Sequence, residues 1–375
     1  MVRSAMSLRE PSERQTKTMH VLSITLYIIF LIGLGTICFF RQLPGDFDRY
    51  IYEAIVRNRT QSLQVVYPIV KHSNPRAEAS SVLDSPEHLG QLEPLYAIRP
   101  VYIWAIEGVA GTGLSIQKAI SLVSALSLVG IGLVVFVWTR AILPSALIMA
   151  SPAIVVLGRA GTPDALSALF ILSSAWALIQ ERLLPGLLLL LGSIWVRTDN
   201  VLLVLVVLAW LAWSSKMHKW QAGVLAAVAL FSVFFINHFS GNYGWSVLFH
   251  YSFIGGRSPA EVSSHLSLRE YVVAFAKGLE EIGGQQISIW ILLGIAAWHW
   301  LPQGIQLRIL LLPVALASLA RLVLFPAVED RYFAWAYLIV GVCFLKAMRS
   351  STAQSGGDEA TDFGLWRSSL ANKRE

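Results

Sequence analysis

The sequence predicts an all-α polytopic membrane protein, with about ten transmembrane helices and further helices on the external membrane surface. Of its 375 residues, 55% are hydrophobic and 14% are charged, and the mean hydropathy is +0.60. This composition is typical of a chain whose main solvent is lipid. Apolar runs recur along most of the chain, and every second short connection between them carries Lys or Arg.

The first apolar run covers residues 21–40 and would be about 30 Å long as a helix, which is enough to span a bilayer. Basic residues precede it, and it lacks the short apolar core and small-residue cleavage site of a secretory signal peptide. We therefore predict a cytoplasmic segment over residues 1–20, followed by an uncleaved first span.

Nine later apolar runs complete a predicted transmembrane domain over residues 21–349. They cover residues 116–138, 141–158, 163–180, 183–196, 199–213, 220–238, 286–301, 305–325 and 331–346. With the N-terminus in the cytoplasm, the short connections that fall inside all carry basic residues, as the positive-inside rule requires. These residues are Arg140, Arg182, Lys216, Lys219, Arg308, Lys346 and Arg349. Residues 350–375 are polar and are predicted to form a disordered cytoplasmic tail.

The stretch over residues 183–213 has two interpretations. A single tilted helix would bury Arg197 and Asp199 in mid-membrane, which is costly, and would reverse every later helix against the charge rule. Two short helices that break at "WVRTDN", residues 195–200, avoid both problems. We therefore predict the break.

Two external loops, residues 41–115 and 239–285, are predicted to carry surface helices. The apolar segment 99–111 is too short to span a bilayer and is expected at the interface. Segment 267–284 contains a capping box formed by Ser267 and Glu270, and it presents apolar residues on one face. We therefore expect an amphipathic helix in this second segment.

The composition argues against several functional classes. The net charge of +6 is not arranged as a basic stripe with interleaved aromatic residues, so nucleic acid is not a predicted partner. Cys38 and Cys343 lie within apolar runs, which argues against disulfide, zinc and iron–sulfur sites. His238, His250 and His265 match no metal-ligand spacing.

Four charged clusters fall on the external side of the predicted topology. They are "GDFDRY" (45–50), "GRAGTPD" (158–164), "WVRTDN" (195–200) and "EDRY" (329–332). Each has an ordinary structural interpretation. Asp46 fits a helix N-cap, and Asp164 fits the first turn of a helix. Arg197 with Asp199 fits a structural ion pair, and Arg331 fits an interfacial anchor.

Taken together, the four clusters favour a functional interpretation. They are distant in sequence, yet the topology brings acidic and basic side chains to one membrane face. Arginines and helix N-termini suit a phosphate group. A carboxylate can remove a proton from a hydroxyl group. The combination suits an anionic ligand whose apolar part stays in the bilayer.

The sequence also resembles the glycosyltransferase-C superfamily, whose members include protein O-mannosyltransferases and the lipid A aminoarabinose transferase. The resemblance covers most of residues 20–345. It rests on "DFDRY" at the exit of the first span, "EPLYAIRPVY", "GRAGTPDALSALFIL" at the head of a later span, and "EDRYFAWAY". It implies a glycosyltransferase-C-like fold that uses a sugar linked to a polyprenyl phosphate.

The resemblance implies that Asp46 is the catalytic base, with Asp48 as the second candidate. Many relatives have an Asp-Glu pair at the first acid, whereas Phe47 follows Asp46 here. The need for a divalent metal therefore stays open, and no other cofactor is implied. Arginines near these acids would stabilise the leaving phosphate.

The remaining site residues divide into two predicted roles. The donor-phosphate ligands are Arg159, Arg197 and Arg331. The supporting residues are Asp164, Asp199, Tyr50, Arg99 and His250.

The predicted function is an inverting membrane glycosyltransferase that transfers a hexose or pentose to a hydroxyl of a protein, glycan or lipid. Its expected location is the bacterial inner membrane, with both termini cytoplasmic and the active site periplasmic. The alternative is a transporter or flippase of lipid-linked sugars. Transporters commonly have two related halves, and the sequence has no such repeat.

Overall fold

The computed structural model describes residues 13–43, 47–73, 84–256, 258–301 and 306–355, and within them the secondary structure is helical, without strands. The α-helices are α1 (Glu13–Phe40), α2 (Asp48–Asn58), α3 (Leu63–His72), α4 (Pro86–Ala97), α5 (Pro100–Ala110), α6 (Ile116–Thr139), α7 (Ile142–Met149), α8 (Pro152–Arg159), α9 (Asp164–Ile179), α10 (Leu183–Val196), α11 (Val201–Trp213), α12 (Lys219–Phe239), α13 (Trp245–Phe249), α14 (Leu268–Glu281), α15 (Ile287–Trp300), α16 (Gln306–Leu324) and α17 (Asp330–Ser355).

Each apolar run predicted from the sequence is helical in the structure, and the run over residues 141–158 is divided into α7 and α8, which meet at 63°. Length and apolar composition qualify four helical segments as membrane spans: Val21–Phe40, Ile116–Thr139, Lys219–Phe239 and Asp330–Arg349. The bent pair α7–α8 makes a fifth if it is counted as one span. The prediction of an all-helical membrane protein is therefore confirmed at this level. Shorter apolar segments lie in α5, α9, α10, α11, α15 and α16.

The outermost helices present apolar side chains to their surroundings. On α12, Phe231 and Phe234 are 64% and 67% exposed, and on α1, Ile29 is 59% exposed. Apolar surface of this extent is unfavourable in water but is matched by lipid. These faces support the assignment of a membrane environment.

The main core is built around α6, against which α1, α8 and α9 pack. Glycines lie where these helices approach most closely. A Cβ atom at Gly132 would overlap the Leu31 side chain, and one at Gly158 would overlap Leu128 and Cys38. Small residues at such positions let helix backbones approach within a membrane, where packing replaces the hydrophobic effect.

A second core lies between the first long helix and α6. Helices α2 to α5 bury Ile51, Tyr52, Leu89 and Tyr102 against the beginning of α6. Glu53 is 2% exposed in this core, where it accepts hydrogen bonds from Arg57 at 2.7 and 2.9 Å and from Gln117 at 2.9 Å. The loop predicted over residues 41–115 is therefore a compact helical layer across its described residues.

The predicted break within residues 183–213 is confirmed. Helix α10 ends at Val196, the Arg197 backbone is extended, and a 3₁₀ turn over Thr198–Asn200 leads into α11. The Asn200 amide group donates to the Ser193 carbonyl at 2.9 Å and to the Ser167 hydroxyl at 2.8 Å. These bonds tie the turn to α10 and α9, and they pair the buried Asn200 amide group, which would otherwise be costly in an apolar region.

The segment between α12 and α15 contacts the end of α16. The predicted capping box at Ser267 and Glu270 is present, and it begins α14. Trp245 donates to the Leu324 carbonyl at 2.9 Å, and Tyr271 donates to the Val323 carbonyl. Helices α13 and α14 therefore fix the path of the chain between α16 and α17.

The C-terminal helix extends beyond the predicted membrane domain. Helix α17 continues to Ser355, past residue 350, where the predicted tail begins. Residues 356–375, and with them the rest of the predicted disordered tail, lie outside the described residues, as does most of the predicted cytoplasmic segment 1–20.

We predict that Gly278→Ala destabilises the fold at the α14 contact. A Cβ atom at Gly278 would overlap the Pro326 carbonyl oxygen and its carbonyl carbon, and backbone cannot yield as a flexible side chain can. Overpacking of this kind costs roughly 1–3 kcal/mol. The expected result is a lower melting temperature for the detergent-solubilised protein. Gly283→Ala is the control, because a Cβ atom there meets nothing within 4 Å. Equal melting temperatures for the two variants would contradict the packing described.

Candidate functional site

The ends of several helices meet at one face of the bundle and bring together charged residues from distant parts of the chain. Helices α2 and α9 begin there, α10 and α11 join there, and α16 ends where α17 begins. Ion pairs, hydrogen bonds and cation–ring contacts connect these residues, which we name the arginine site: Asp48, Tyr96, Arg99, Asp164, Arg197, Asp199, Arg321, Arg331 and Tyr332.

Arg197 is a buried cation that contacts two carboxylates of the arginine site. Its Nε and Nη2 atoms donate to the two carboxylate oxygens of Asp199 at 2.9 and 2.8 Å, and its Nη1 atom pairs with Asp164. The Arg197 side chain is 10% exposed and that of Asp164 is 3% exposed. Asp164 is the first residue of α9, where the helix dipole favours a negative charge. The two sequence clusters that contain these residues therefore meet as predicted.

Arg321 joins the site from the end of α16. Its Nε atom donates to Asp199 at 3.3 Å and its Nη1 atom donates to the Ala327 carbonyl at 3.4 Å. Arg321 is not among the site residues predicted from the sequence, because it lies within an apolar run. An ionisable residue inside such a run is itself a signal for a functional site, and that signal would have found it.

The Tyr332 ring lies against three guanidinium groups. The ring centroid is 5.1 Å from the guanidinium carbon of Arg197, 4.4 Å from that of Arg321 and 5.0 Å from that of Arg331. The negative face of an aromatic ring attracts cations, most strongly where water is excluded. Tyr332 therefore reduces the mutual repulsion of the arginines and fixes their spacing.

Asp48 connects α2 to α4 and α17. One oxygen accepts from Tyr96 at 2.6 Å, and the other accepts from Arg331 Nη1 at 2.9 Å. Burial acts to raise the pKa of the Asp48 carboxyl, but Arg331 and the Tyr96 hydroxyl together hold it below its usual range. Asp48 is therefore a carboxylate at neutral pH and a weaker base than a free aspartate.

Arg99 is the N-cap residue of α5 and belongs to the arginine site. Its Nη1 atom donates to the Tyr52 hydroxyl at 2.7 Å, and its guanidinium group lies 5.0 Å from the Tyr96 ring centroid. Within the described residues, Arg99 has no carboxylate at ion-pair distance. The carboxylates that act on its charge, including Asp48 and Asp199, lie at a longer distance.

The arginines differ in their uncommitted hydrogen-bond donors. All three guanidinium nitrogens of Arg197 and of Arg331 are engaged, the latter by Glu329, Asp48 and Tyr332. By contrast, Arg99 Nε and Nη2 and Arg321 Nη2 have no partner among the described residues. A new acceptor can therefore be bound by Arg99 and Arg321 without breaking an existing contact.

Other predicted site residues lie elsewhere or outside the described residues. Asp46 is outside them, and the N-cap of α2 is Phe47. Arg159 donates to the Arg41 carbonyl at 2.6 Å, and its own carbonyl accepts from Leu43 at 3.1 Å, so it holds the exit of the first helix.

The contacts of Tyr50 and His250 are with residues outside the arginine site. Tyr50 packs against the second core. His250 is 6% exposed and pairs with Glu270 of α14, with 3.7 Å between Nε2 and Oε1. Neither contact places these two side chains on an arginine of the site.

Within the described residues, no group of three His, Cys, Asp or Glu side chains is arranged to hold a metal ion. The carboxylates of the arginine site are instead engaged by arginines and a tyrosine. Such cation-paired carboxylates are poor ligands for a divalent cation, because the arginines already balance their charge.

Comparisons with known proteins return no match: neither a protein-family model, nor a curated protein, nor a solved structure is similar to this chain.

We predict that Asp48 and Arg331 are energetically coupled. A double-mutant cycle with Asp48→Asn and Arg331→Gln should give a coupling free energy of about 1–3 kcal/mol, because both partners are largely buried. The control cycle uses Arg59→Gln and Glu107→Gln, whose ion pair is more exposed. Exposed pairs contribute roughly 0–1 kcal/mol. Unfolding in detergent measures both cycles, and equal couplings would contradict the assignment.

The lowered pKa of Asp48 also predicts a pH dependence of stability. A depressed carboxyl pKa stabilises the folded state above the unfolded value of about 3.9 and loses that contribution as pH falls through the folded value. The melting-temperature difference between wild type and Asp48→Asn should therefore be constant from pH 7 to 5 and shrink below about pH 4. A difference that grows as the pH falls would have the wrong sign for this ion pair.

Proposed function

We propose that this chain is a membrane glycosyltransferase, with the arginine site as the binding site for a polyprenyl phosphate-linked sugar. The observation that carries the proposal is the presence of uncommitted guanidinium donors on Arg99 and Arg321, beside carboxylates and above an apolar groove. Phosphate binding requires such donors. A long hydrocarbon chain requires such a groove.

The groove lies between α15, α16 and α17 and has a volume of about 590 Å³. Leu322 and Phe333 line its end nearest the arginine site, and the Phe333 ring is 5.3 Å from the Arg321 guanidinium group. Leu319 and Ile291 line it and are more than half exposed, so the groove is open to the side. A lipid can therefore enter laterally, with its phosphate at Arg321 and its chain along the groove.

We further propose that the short apolar helices also cross the membrane, which gives ten spans and places the arginine site on the external face. At 14 residues, α10 and α15 are only about 21 Å long, less than the roughly 30 Å of a bilayer core. Their external ends are then recessed below the membrane surface. A recessed site lets the phosphate of a lipid reach the arginines while its chain stays in the hydrocarbon region.

The charges of the arginine site suit the leaving group better than the donor. A phosphodiester donor carries one negative charge, and the polyprenyl monophosphate released from it gains a second as the bond breaks. Arg99 and Arg321 bind the phosphate oxygens, while Arg197 and Arg331 hold the carboxylates and Tyr332 in place. Interactions that strengthen as charge develops lower the barrier, whereas equal binding of donor and transition state does not.

The reaction is a direct displacement at the anomeric carbon. The acceptor hydroxyl oxygen forms a bond to that carbon, the bond to the phosphate oxygen breaks, and the electron pair leaves with the polyprenyl phosphate. Asp46 takes the hydroxyl proton. Asp46 is assigned this role from the sequence, as the first acid of "DFDRY". Asp48, engaged by Arg331 and Tyr96, holds the start of α2 and is the second candidate base.

We predict that Asp46→Asn lowers sugar transfer by about 100-fold or more, because general-base catalysis contributes roughly 10²–10⁴. Arg321→Gln should lower it by about 10²–10³ through loss of a charge-stabilising donor. Glu107→Gln, in the exposed pair with Arg59, is the control. Wild type and variants are reconstituted in proteoliposomes that contain a panel of polyprenyl-phosphate hexoses and pentoses, together with a mixture of glycan, lipid and peptide acceptors. The polyprenyl monophosphate that is released is quantified by mass spectrometry.

Two results would contradict the proposal. The base assignment fails if Asp46→Asn and Asp48→Asn both retain full transfer. The enzyme assignment fails if labelled donor crosses the proteoliposome membrane with its sugar intact and no monophosphate is released, which is the behaviour of a flippase.

A further inference from the structure

The groove between α15, α16 and α17 has one end beside the arginine site and a far end. Phe333 and Leu322 line the end beside the arginine site. Leu311 of α16 and His299 of α15 line the far end. From Leu322 to Leu311 the groove follows α16 for about 16 Å. A hydrocarbon chain that starts at the arginine site therefore passes the middle of the groove before it reaches the far end.

Each of the three helices contributes small residues to the groove between its two ends. They are Gly294 on α15, Ala315 and Ser318 on α16, and Ala336 on α17. Among the described residues that line the groove, Gly294 is the single glycine. It lies about 10 Å along α15 from Ile287, the residue that begins this helix. Space that larger side chains would fill is therefore left open midway along the groove.

Neither backbone conformation nor close packing requires glycine at position 294. The backbone there is helical, and a Cβ atom would meet only the Val340 methyl groups, at 3.7 and 3.8 Å, which is ordinary contact. By contrast, a Cβ atom at Gly341 would come within 3.1 Å of Ile148 and 3.2 Å of Trp290. Glycine is less favourable than alanine within a helix. The open space at Gly294 therefore belongs to the groove and not to a close contact between α15 and α17.

The charge pattern along the groove indicates the chemistry of its occupant. At one end, the Arg321 guanidinium group lies 5.3 Å from the Phe333 ring centroid and has an uncommitted Nη2 atom. Among the described residues that line the groove, none is Asp, Glu, Lys or Arg. A second charge on a ligand would therefore be buried without a partner. This pattern fits a phosphate ester of a long-chain alcohol, in which one anionic end is followed by hydrocarbon.

We propose that Gly294 and Ala315 determine how far along the groove the hydrocarbon chain of the donor extends. The inference rests on the proposed function, because that function places the polyprenyl chain in this groove. Isoprene units next to the phosphate lie beside Phe333 and Leu322. Later units pass Gly294 and Ala315 toward the far end. Within a membrane, association of apolar groups depends on packing. Side-chain size at these two positions therefore selects among chains of different length.

The test locates the end of the bound chain by photo-cross-linking to the full-length protein in nanodiscs. The short probe is dimethylallyl phosphate and the long probe is geranylgeranyl phosphate, each with a diazirine at the end of its hydrocarbon chain. Labelled peptides are identified and quantified by mass spectrometry. In wild type, the short probe should label residues beside Phe333 and Leu322. The long probe should label the end of α15 near His299.

Larger side chains at the two proposed positions should shorten the reach of the long probe. Gly294→Leu and Ala315→Leu should each lower its labelling near His299 by about fivefold or more, because leucine fills space that the chain would occupy. Labelling by the short probe should be unchanged. Ala315 is exposed, so leucine there displaces no packed neighbour, and this variant remains informative if Gly294→Leu folds poorly. Gly223→Leu on α12 is the matched control, because a Cβ atom there meets nothing within 4 Å and Gly223 does not line the groove.

Arg321→Gln distinguishes failure of this inference from failure of the proposed function. Long-probe labelling near His299 that is as strong in both groove variants as in Gly223→Leu would overturn the role of Gly294 and Ala315. The proposed function survives that result if Arg321→Gln lowers labelling by both probes. Labelling that Arg321→Gln leaves unchanged for both probes would overturn the proposed function and this inference together.

Discussion

The pairing of Arg197 with Asp164 and Asp199 is the interaction on which the charged face of this protein depends. An unpaired guanidinium group at this depth would cost several kcal/mol in lost hydration. The two carboxylates remove that cost, and they come from different helices, the start of α9 and the turn between α10 and α11. The pairing therefore fixes both the break between α10 and α11 and the position of that break relative to the start of α9.

The remaining cations are arranged around this pairing. Arg321 shares Asp199 with Arg197, and the Tyr332 ring separates these two arginines from Arg331. Alternation of cations with carboxylates and aromatic rings allows several guanidinium groups to occupy a small volume without strong repulsion. The same alternation leaves selected donors of Arg99 and Arg321 uncommitted, next to an apolar groove. A site that is preorganised and nearly neutral can respond to developing phosphate charge with little reorganisation.

Much of this arrangement could be predicted from the sequence. Charged residues are rare in a chain of this composition, and an unpaired charge in an apolar region is energetically costly, so each charged cluster is informative. The break at residues 195–200, the capping box of α14 and the meeting of the Asp48, Asp164, Arg197 and Arg331 segments followed from that argument. Arg321 did not, since its partner Asp199 is 122 residues away and its own surroundings in sequence are apolar. The hydrogen-bond partners of each arginine also could not be predicted, because they depend on side-chain rotamers and on helix packing. Helices α3 and α4 were not predicted individually, because each contains an internal proline, Pro68 or Pro94, which in a sequence argues against a helix.

The most direct test of the account is a cryo-electron microscopy structure of the protein in nanodiscs with a bound polyprenyl phosphate. We expect density for the phosphate within hydrogen-bond distance of Arg99 and Arg321, and density for the hydrocarbon chain along the groove between α15, α16 and α17. The contacts of Arg197 with Asp164 and Asp199 should be unchanged. A phosphate bound away from both Arg99 and Arg321, or an arginine site that remains without ligand at saturating lipid, would contradict the central claim.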